Sequence, residues 1–153
     1  MGQYIHSRSG MRHFLLLTAL SLLAAALQAQ DAAPAVDNKP HKVVIQLTSN
    51  DSLVHKAVIR QIANILEAAP RSKIEVVCHS NGITFLQAAQ SGQAARIAEL
   101  HAKGVAFLAC ENTMRERKIT RGELLPQSGT VPSGVKEVIK KQEKNWAYLR
   151  AGL

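Results

Sequence analysis

Three short apolar runs, each followed at once by polar or helix-starting residues, constrain the fold of this chain most strongly. They occupy residues 42–48, 73–78 and 105–110. Runs of this length bounded by capping and turn residues are typical of buried strands. A helical pattern separates the first two runs, because apolar residues recur every three or four positions over 54–69. Alternating strands and helices predict an α/β domain with a mostly parallel sheet.

Capping and breaking residues indicate where the other elements begin and end. Polar residues at 49–52 cap the first helix, which runs to Ala68 before Pro70 stops it. His55 is predicted to lie on the surface of this helix. The same signals predict helices at 83–90, 93–103, 112–118 and 135–144, and a terminal strand at 146–150.

Polar side chains follow all three runs and are predicted to converge at one edge of the sheet. Ligands of open α/β sheets bind beyond the carboxyl ends of the strands. We therefore expect a site built around Cys110 and His79. The candidate pocket residues beside them are Asn50, Asn81, Glu111 and Asn112.

Cys110 is the candidate for the chemistry, because it ends a strand and precedes a helix. A helix N-terminus carries unpaired N–H groups and partial positive charge, which favour the reactive thiolate. A nearby Glu111 carboxylate would oppose the thiolate. The alternative is a buried core cysteine, since free cysteine is among the most buried residue types.

His79 has several open interpretations: a base, a hydrogen-bond donor to bound sulfur, a metal ligand, or a turn histidine bonded to backbone. No metal is expected, because the spacing of His79, Cys78 and Cys110 matches no familiar zinc site. No cofactor is expected either. The chain has no glycine-rich phosphate loop, no Gly-x-Ser-x-Gly motif and no paired carboxylates.

The first part of the chain has the pattern of an export signal. Arg8 and Arg12 precede an apolar run, and small residues follow up to a cleavage site after Ala29. We expect a signal peptide at 1–29, with Met11 as an alternative start and an uncleaved anchor as the other alternative. A flexible segment at 30–40 and one domain at 41–153 follow. The protein is then exported to the periplasm, without membrane contact beyond the signal segment.

The formal net charge of +8 becomes +6 without the signal, with 17 basic against 11 acidic side chains. Export and the scattered placement of the basic residues argue against nucleic acid as a partner. The tightest basic groups are 115–121 and 136–144. We interpret them as solvated faces, with attraction of anions as the second interpretation.

Four segments resemble the DsrE/DsrF-like family of sulfur-handling proteins, which includes the sulfur-relay DsrE/TusD-like proteins. They are 76–82 with His79, 109–114 with Cys110, 131–135, and 146–150. Their order and spacing cover the domain from 41 to 153. The chain would be an exported member, whereas the sulfur-relay members are cytoplasmic.

The resemblance implies a flavodoxin-like three-layer fold, with about five mostly parallel strands and helices on both faces, that forms homo-trimers or homo-hexamers. It also implies that Cys110 accepts sulfane sulfur as a persulfide. The partner would be a sulfur donor or acceptor protein, or a small sulfur compound. Sulfurtransferase activity is left open. The alternative is a non-enzymatic oligomeric binding module with Cys110 in its core.

A disulfide between Cys78 and Cys110 is not expected. In a flavodoxin-like order the first strand lies between the second and third, and two strand spacings of about 9.6 Å exceed the reach of a disulfide. Cys78 is therefore predicted to be a packed free thiol.

Overall fold

The computed structural model describes residues 36–152, so the predicted signal peptide lies outside the described residues. The strands are β1 (Lys42–Leu47), β2 (Lys73–Cys78), β3 (Ala106–Cys110), β4 (Ser128–Val131) and β5 (Ala147–Ala151). The α-helices are α1 (Ser52–Ala68), α2 (Ala94–Ala102), α3 (Glu111–Arg117) and α4 (Gly134–Glu143). Two 3₁₀ helices span Ser80–Phe85 and Arg121–Glu123.

The five strands form one parallel sheet in the order β4-β3-β2-β1-β5. Hydrophobic cores cover both faces of this sheet. The predicted fold class, a parallel α/β sheet with helices on both sides, is confirmed. The predicted strand order, with the first strand between the second and the third, is wrong, because β2 lies between β1 and β3.

The corrected order changes the reason why the two cysteines stay apart. Cys78 pairs with Ala109 on the adjacent strand, so Cys110 is one residue further along β3. Successive side chains of a strand point to opposite faces. Cys78 therefore faces one side of the sheet and Cys110 the other, and both are free thiols.

The first face of the sheet carries the larger core, formed with α1, α2 and α3. Its largest fully buried side chains include Phe85, Phe107 and Ile62. The predicted surface position of His55 is wrong, since this residue is only 5% exposed and packs edge-on against Phe85. His55 Nε2 donates a hydrogen bond to the Ser49 carbonyl oxygen at 2.9 Å, and this bond stabilises the buried position of the ring.

The second face is covered by α4 over a small core of Val44, Val77, Val131 and Val138. An ion pair fastens this helix, because Lys141 Nζ lies 2.5 Å from the carboxylate of the buried Glu75. Lys141 lies in the last turn of α4 and Glu75 in the first half of β2, so the pair attaches the C-terminal end of the helix to the sheet.

Two other predictions differ from the structure. Strand β4 was not expected, because its four residues include Gly129 and show no apolar alternation. The predicted helix at 83–90 is a 3₁₀ helix that begins earlier, at Ser80. Gly82 permits this close approach of the chain to β1, since a Cβ there would lie 2.2 Å from the Leu47 carbonyl oxygen.

None of the helices between residues 36 and 152 combines the length and apolar composition that a bilayer crossing requires.

Candidate thiol site

Cys110 lies where β3 ends and α3 begins, as the sequence predicted. Its backbone is still extended, and the helix starts at the next residue. Its side chain points to the second face of the sheet, toward the first residue of α4. The residue is 4% exposed, so the sulfur is nearly covered by this helix start.

Hydrogen-bond donors surround the sulfur of Cys110. The Gly134 N–H donates to Sγ at 3.2 Å. The N–H groups of Thr113 and Asn112 and the Thr113 hydroxyl act on the sulfur at longer range. Burial raises the pKa of the Cys110 thiol, but these donors together outweigh burial and leave the pKa below its ordinary value.

Glu111 does not oppose the thiolate as strongly as its position in the sequence suggests. Its carboxylate accepts a hydrogen bond from the Thr130 hydroxyl at 2.8 Å. Thr130 is the register partner of Ala109, and the side chain of Ala109 faces away from that of Cys110. The carboxylate is thus directed toward β4 at the edge of the sheet.

His79 lies beside Cys110, with Gly134 between them. A Cβ added to Gly134 would lie 3.2 Å from the Cβ of His79 and 3.3 Å from the Cβ of Cys110. Glycine is therefore the residue that lets α4 begin this close to both side chains. The convergence of the thiol and the imidazole follows from the parallel pairing of β2 with β3.

Both ring nitrogens of His79 have hydrogen-bond partners. Nε2 lies 2.7 Å from the Gln46 amide nitrogen, and Nδ1 lies 3.1 Å from the Ser80 hydroxyl. The Tyr148 hydroxyl donates to the Gln46 amide oxygen, which orients the amide nitrogen toward His79. With this orientation Nε2 accepts and Nδ1 carries the proton. Burial lowers the pKa of His79, so its ring is neutral at pH 7.

The other pocket candidates do not direct their side chains to Cys110. Arg117 donates to the Asn81 side-chain oxygen, and Arg115 donates to that of Asn112. Asn112 contributes only its backbone N–H to the thiol. Asn50 lines a separate cavity with His55.

Sequence reasoning missed several contributors to the site. Gln46 carries a usable signal, since it is a polar residue inside an otherwise apolar strand. Gly134 follows a capping serine, a pattern that ordinary helix capping also explains. Tyr148 and Thr113 have no signal that would separate them from packing residues.

Cys78 provides the contrast to Cys110. It is fully buried in the first-face core, and burial raises its pKa far above the ordinary range of a thiol.

Across residues 36–152 the structure contains no group of three or more His, Cys, Asp or Glu side chains that could hold a metal ion.

Comparisons with known proteins agree with this architecture. No curated protein matches the chain. The solved structure of MTH1491, a protein of unknown function from Methanobacterium thermoautotrophicum, is 31% identical, with 72% of this chain and 98% of that chain covered at a TM-score of 0.69. The solved structure of BT1422 from Bacteroides thetaiotaomicron, also a protein of unknown function, is 13% identical, with 71% of this chain and 93% of that chain covered at a TM-score of 0.55. At this identity the similarity shows the fold alone. The model of the DsrE/DsrF-like family matches residues 18–151, and the chain therefore belongs to that family.

Proposed function

We propose that this protein carries sulfane sulfur on Cys110 and passes it to an acceptor thiol. Membership of the DsrE/DsrF-like family suggests a sulfur-relay kind of function. The observation that carries the proposal is the hydrogen bond from the Gly134 N–H to Cys110 Sγ, at a thiol whose pKa is lowered. The thiolate is the nucleophile in exchange reactions at sulfur.

The loading step is a nucleophilic displacement at sulfur. The Cys110 thiolate attacks the terminal sulfur of a donor persulfide, R–S–SH. A new S–S bond forms on Cys110, the donor's S–S bond breaks, and R–S⁻ leaves with the electron pair. The proton stays on the transferred sulfur, so no external oxidant or reductant is needed. The donors around Sγ stabilise negative charge before attack and again when an acceptor removes the sulfur.

In this proposal His79 is a positioning residue. Its two nitrogens are occupied by Gln46 and Ser80, so neither is free to accept a proton from the thiol. Ser80 in turn donates its backbone N–H to the Thr113 hydroxyl oxygen at 3.1 Å. His79 therefore orients the Ser80–Thr113 contact that lies beside the sulfur.

The burial of Cys110 favours a second candidate, a binding module that retains the fold without the chemistry. Cys110 is only 4% exposed, and such burial is equally typical of a cysteine that packs in a core without reacting. This candidate predicts that Cys110→Ser leaves every binding property intact and that folded protein takes up no sulfur.

Cyanide release of bound sulfur tests transfer. Cyanide takes the outer sulfur of a persulfide as thiocyanate and leaves the thiolate. After loading with polysulfide and desalting, the wild type and Cys78→Ser should each release one equivalent of thiocyanate per chain. Cys110→Ser should release none. Equal release from Cys110→Ser and the wild type would contradict the assignment to Cys110, and no release from any folded variant would support the binding module.

We also propose that the chain is exported and works as a homo-oligomer. Support for export is the signal pattern at 1–29, and support for assembly is the family resemblance. In an oxidising periplasm a thiol without a resolving partner is exposed to oxidation. The near-complete cover over Cys110 would then protect the thiol while it waits for a small sulfur donor.

A further inference from the structure

A cavity at the β4 edge of the sheet, which we name the α3 cavity, is not used by the proposed sulfur carriage. It has a volume of about 560 Å³ and is lined by residues of α3, by the segment that follows it up to Arg121, and by Thr130. Thr130 pairs with Ala109, so its side chain lies on the opposite face of the sheet from that of Cys110. Cavities of about 300–1,000 Å³ are large enough for small organic ligands.

Three basic side chains line the α3 cavity without a carboxylate partner. They are Arg115, Lys118 and Arg121. None of them forms an ion pair with an Asp or Glu among residues 36–152. The carboxylate in the lining, that of Glu111, accepts a hydrogen bond from the Thr130 hydroxyl instead. Three cations and one carboxylate give the lining a net charge of +2, which attracts an anion.

Neutral acceptors hold two of these cations in place. Arg115 donates to the Asn112 side-chain oxygen, and Arg121 donates to the Ser128 carbonyl oxygen. A guanidinium has five N–H donors, so each arginine keeps donors for a ligand. Side chains that are ordered before binding lose less entropy on binding, and the planar guanidinium matches the oxygens of a phosphate.

The α3 cavity also has an apolar part, formed by Met114 and Ile119. Met114 is 9% exposed and belongs to the first-face core, and Ile119 packs against that core. Methionine adapts its shape to an apolar neighbour. An inorganic anion would leave this part of the lining without a contact, whereas an organic anion would cover it.

We infer that the α3 cavity binds a small phosphate monoester whose organic part is apolar. The phosphate, which carries a charge of about −1.5 to −2 at pH 7, lies among the three cations. The organic part lies on Met114 and Ile119. The basic group at 115–121 is then an anion-binding surface rather than only a solvated face. Cys110 does not line the cavity, so the inference stands independently of sulfur carriage.

An NMR titration of ¹⁵N-labelled protein with phenyl phosphate tests this inference. We expect saturable shifts at the amides of Lys118, Ile119 and Thr120. Inorganic phosphate lacks the apolar part and phenol lacks the charge, so each should bind at least about tenfold more weakly. The absence of saturable shifts with phenyl phosphate would overturn the inference. Equal binding of inorganic phosphate would also overturn it, because the surface would then only attract anions.

A Lys118→Asn variant separates binding from folding. Lys118 has a left-handed backbone with φ of 57°, which asparagine adopts more readily than lysine, so thermal stability should hold or rise. Affinity for phenyl phosphate should fall about threefold to fivefold with the loss of one exposed cation. Arg71→Asn removes a cation from an exposed turn outside the cavity and should bind as the wild type does. Wild-type affinity of Lys118→Asn, or an equal loss in both variants, would contradict the assigned phosphate position.

Discussion

The Gly134 N–H donates a hydrogen bond to Cys110 Sγ at 3.2 Å and joins the start of α4 to the end of β3. These two residues lie 24 positions apart in the chain. The contact covers the thiol and lowers its pKa at the same time. The burial of Cys110 therefore depends on the position of α4, and so does part of the lowering of its pKa, to which the Thr113 and Asn112 donors of α3 also contribute.

Adding a methyl group at Gly134 should weaken this contact. The Cβ of Gly134→Ala would meet the β-carbons of His79 and Cys110 at 3.2 and 3.3 Å, so α4 must shift by a few tenths of an ångström. The N–H donor then moves away from Sγ, and the pKa of Cys110 rises. We expect alkylation of the folded protein at neutral pH to slow about tenfold, given the strength of a hydrogen bond to a charged group.

Gly122→Ala is the matched control for that experiment. A Cβ at Gly122 meets no atom within 4 Å, so this variant should be alkylated as fast as the wild type. Unchanged alkylation of Gly134→Ala, measured by mass spectrometry of quenched samples, would show that the Gly134 contact does not set the reactivity of Cys110.

The Thr113 hydroxyl should serve both the thiol and the turn after β2. Thr113→Val removes a group that lowers the pKa of Cys110, and it takes the acceptor away from the Ser80 N–H in a partly buried hydrogen bond. We expect slower alkylation and a loss of about 0.5–1.5 kcal/mol in the free energy of unfolding. Thr113→Ser keeps the hydroxyl and should restore the alkylation rate. Equal rates for the Val and Ser variants would argue against a role of the hydroxyl.

Protonation of His79 should destabilise the fold in mild acid. Burial lowers the pKa of His79 from its ordinary value of 6.5, so the unfolded chain takes up a proton at higher pH than the folded chain does. The contribution of neutral His79 to stability is complete above pH 6.5 and is lost as pH falls through the lower, folded-state pKa.

Urea unfolding of His79→Gln checks this prediction. The variant should lose less stability than the wild type between about pH 7.5 and about pH 5.5. His41→Gln, at an exposed histidine paired with Asp37, should retain the wild-type fall. Identical pH dependence of His79→Gln and the wild type would refute the assignment.

Removing only one member of the Lys141–Glu75 ion pair should lower the free energy of unfolding substantially. Lys141→Met leaves the Glu75 carboxylate buried, with one of its oxygens already lacking a partner. We expect a loss of about 3–5 kcal/mol, measured by denaturant unfolding. The double variant Lys141→Met/Glu75→Leu removes both charges and should recover most of that loss. A double variant no more stable than Lys141→Met would mean that the pair itself, rather than the isolated charge, dominates.

The sequence was most informative where local pattern decides the structure. The end of β3 and the start of α3 at Cys110 follow from an apolar run that meets polar residues, and the end of α1 follows from Pro70. The proximity of His79 and Cys110 was predictable because both follow parallel strands of one sheet.

Long-range arrangement was less predictable. Strand order depends on where each crossover lies relative to its neighbours, which the runs themselves do not encode, so β2 was placed wrongly relative to β1. The hydrogen bonds of Gln46 with Tyr148 and His79 join residues up to 102 positions apart. The inward position of His55 depends on the Ser49 carbonyl, and no periodicity of α1 reveals that contact.

Intact mass spectrometry of reduced, folded protein after incubation with polysulfide tests the central claim most directly. The wild type and Cys78→Ser should gain one sulfur atom per chain, and reduction should remove it. Cys110→Ser should gain none. If the wild type gains no sulfur, or if Cys110→Ser gains as much as the wild type, Cys110 is not the sulfur carrier.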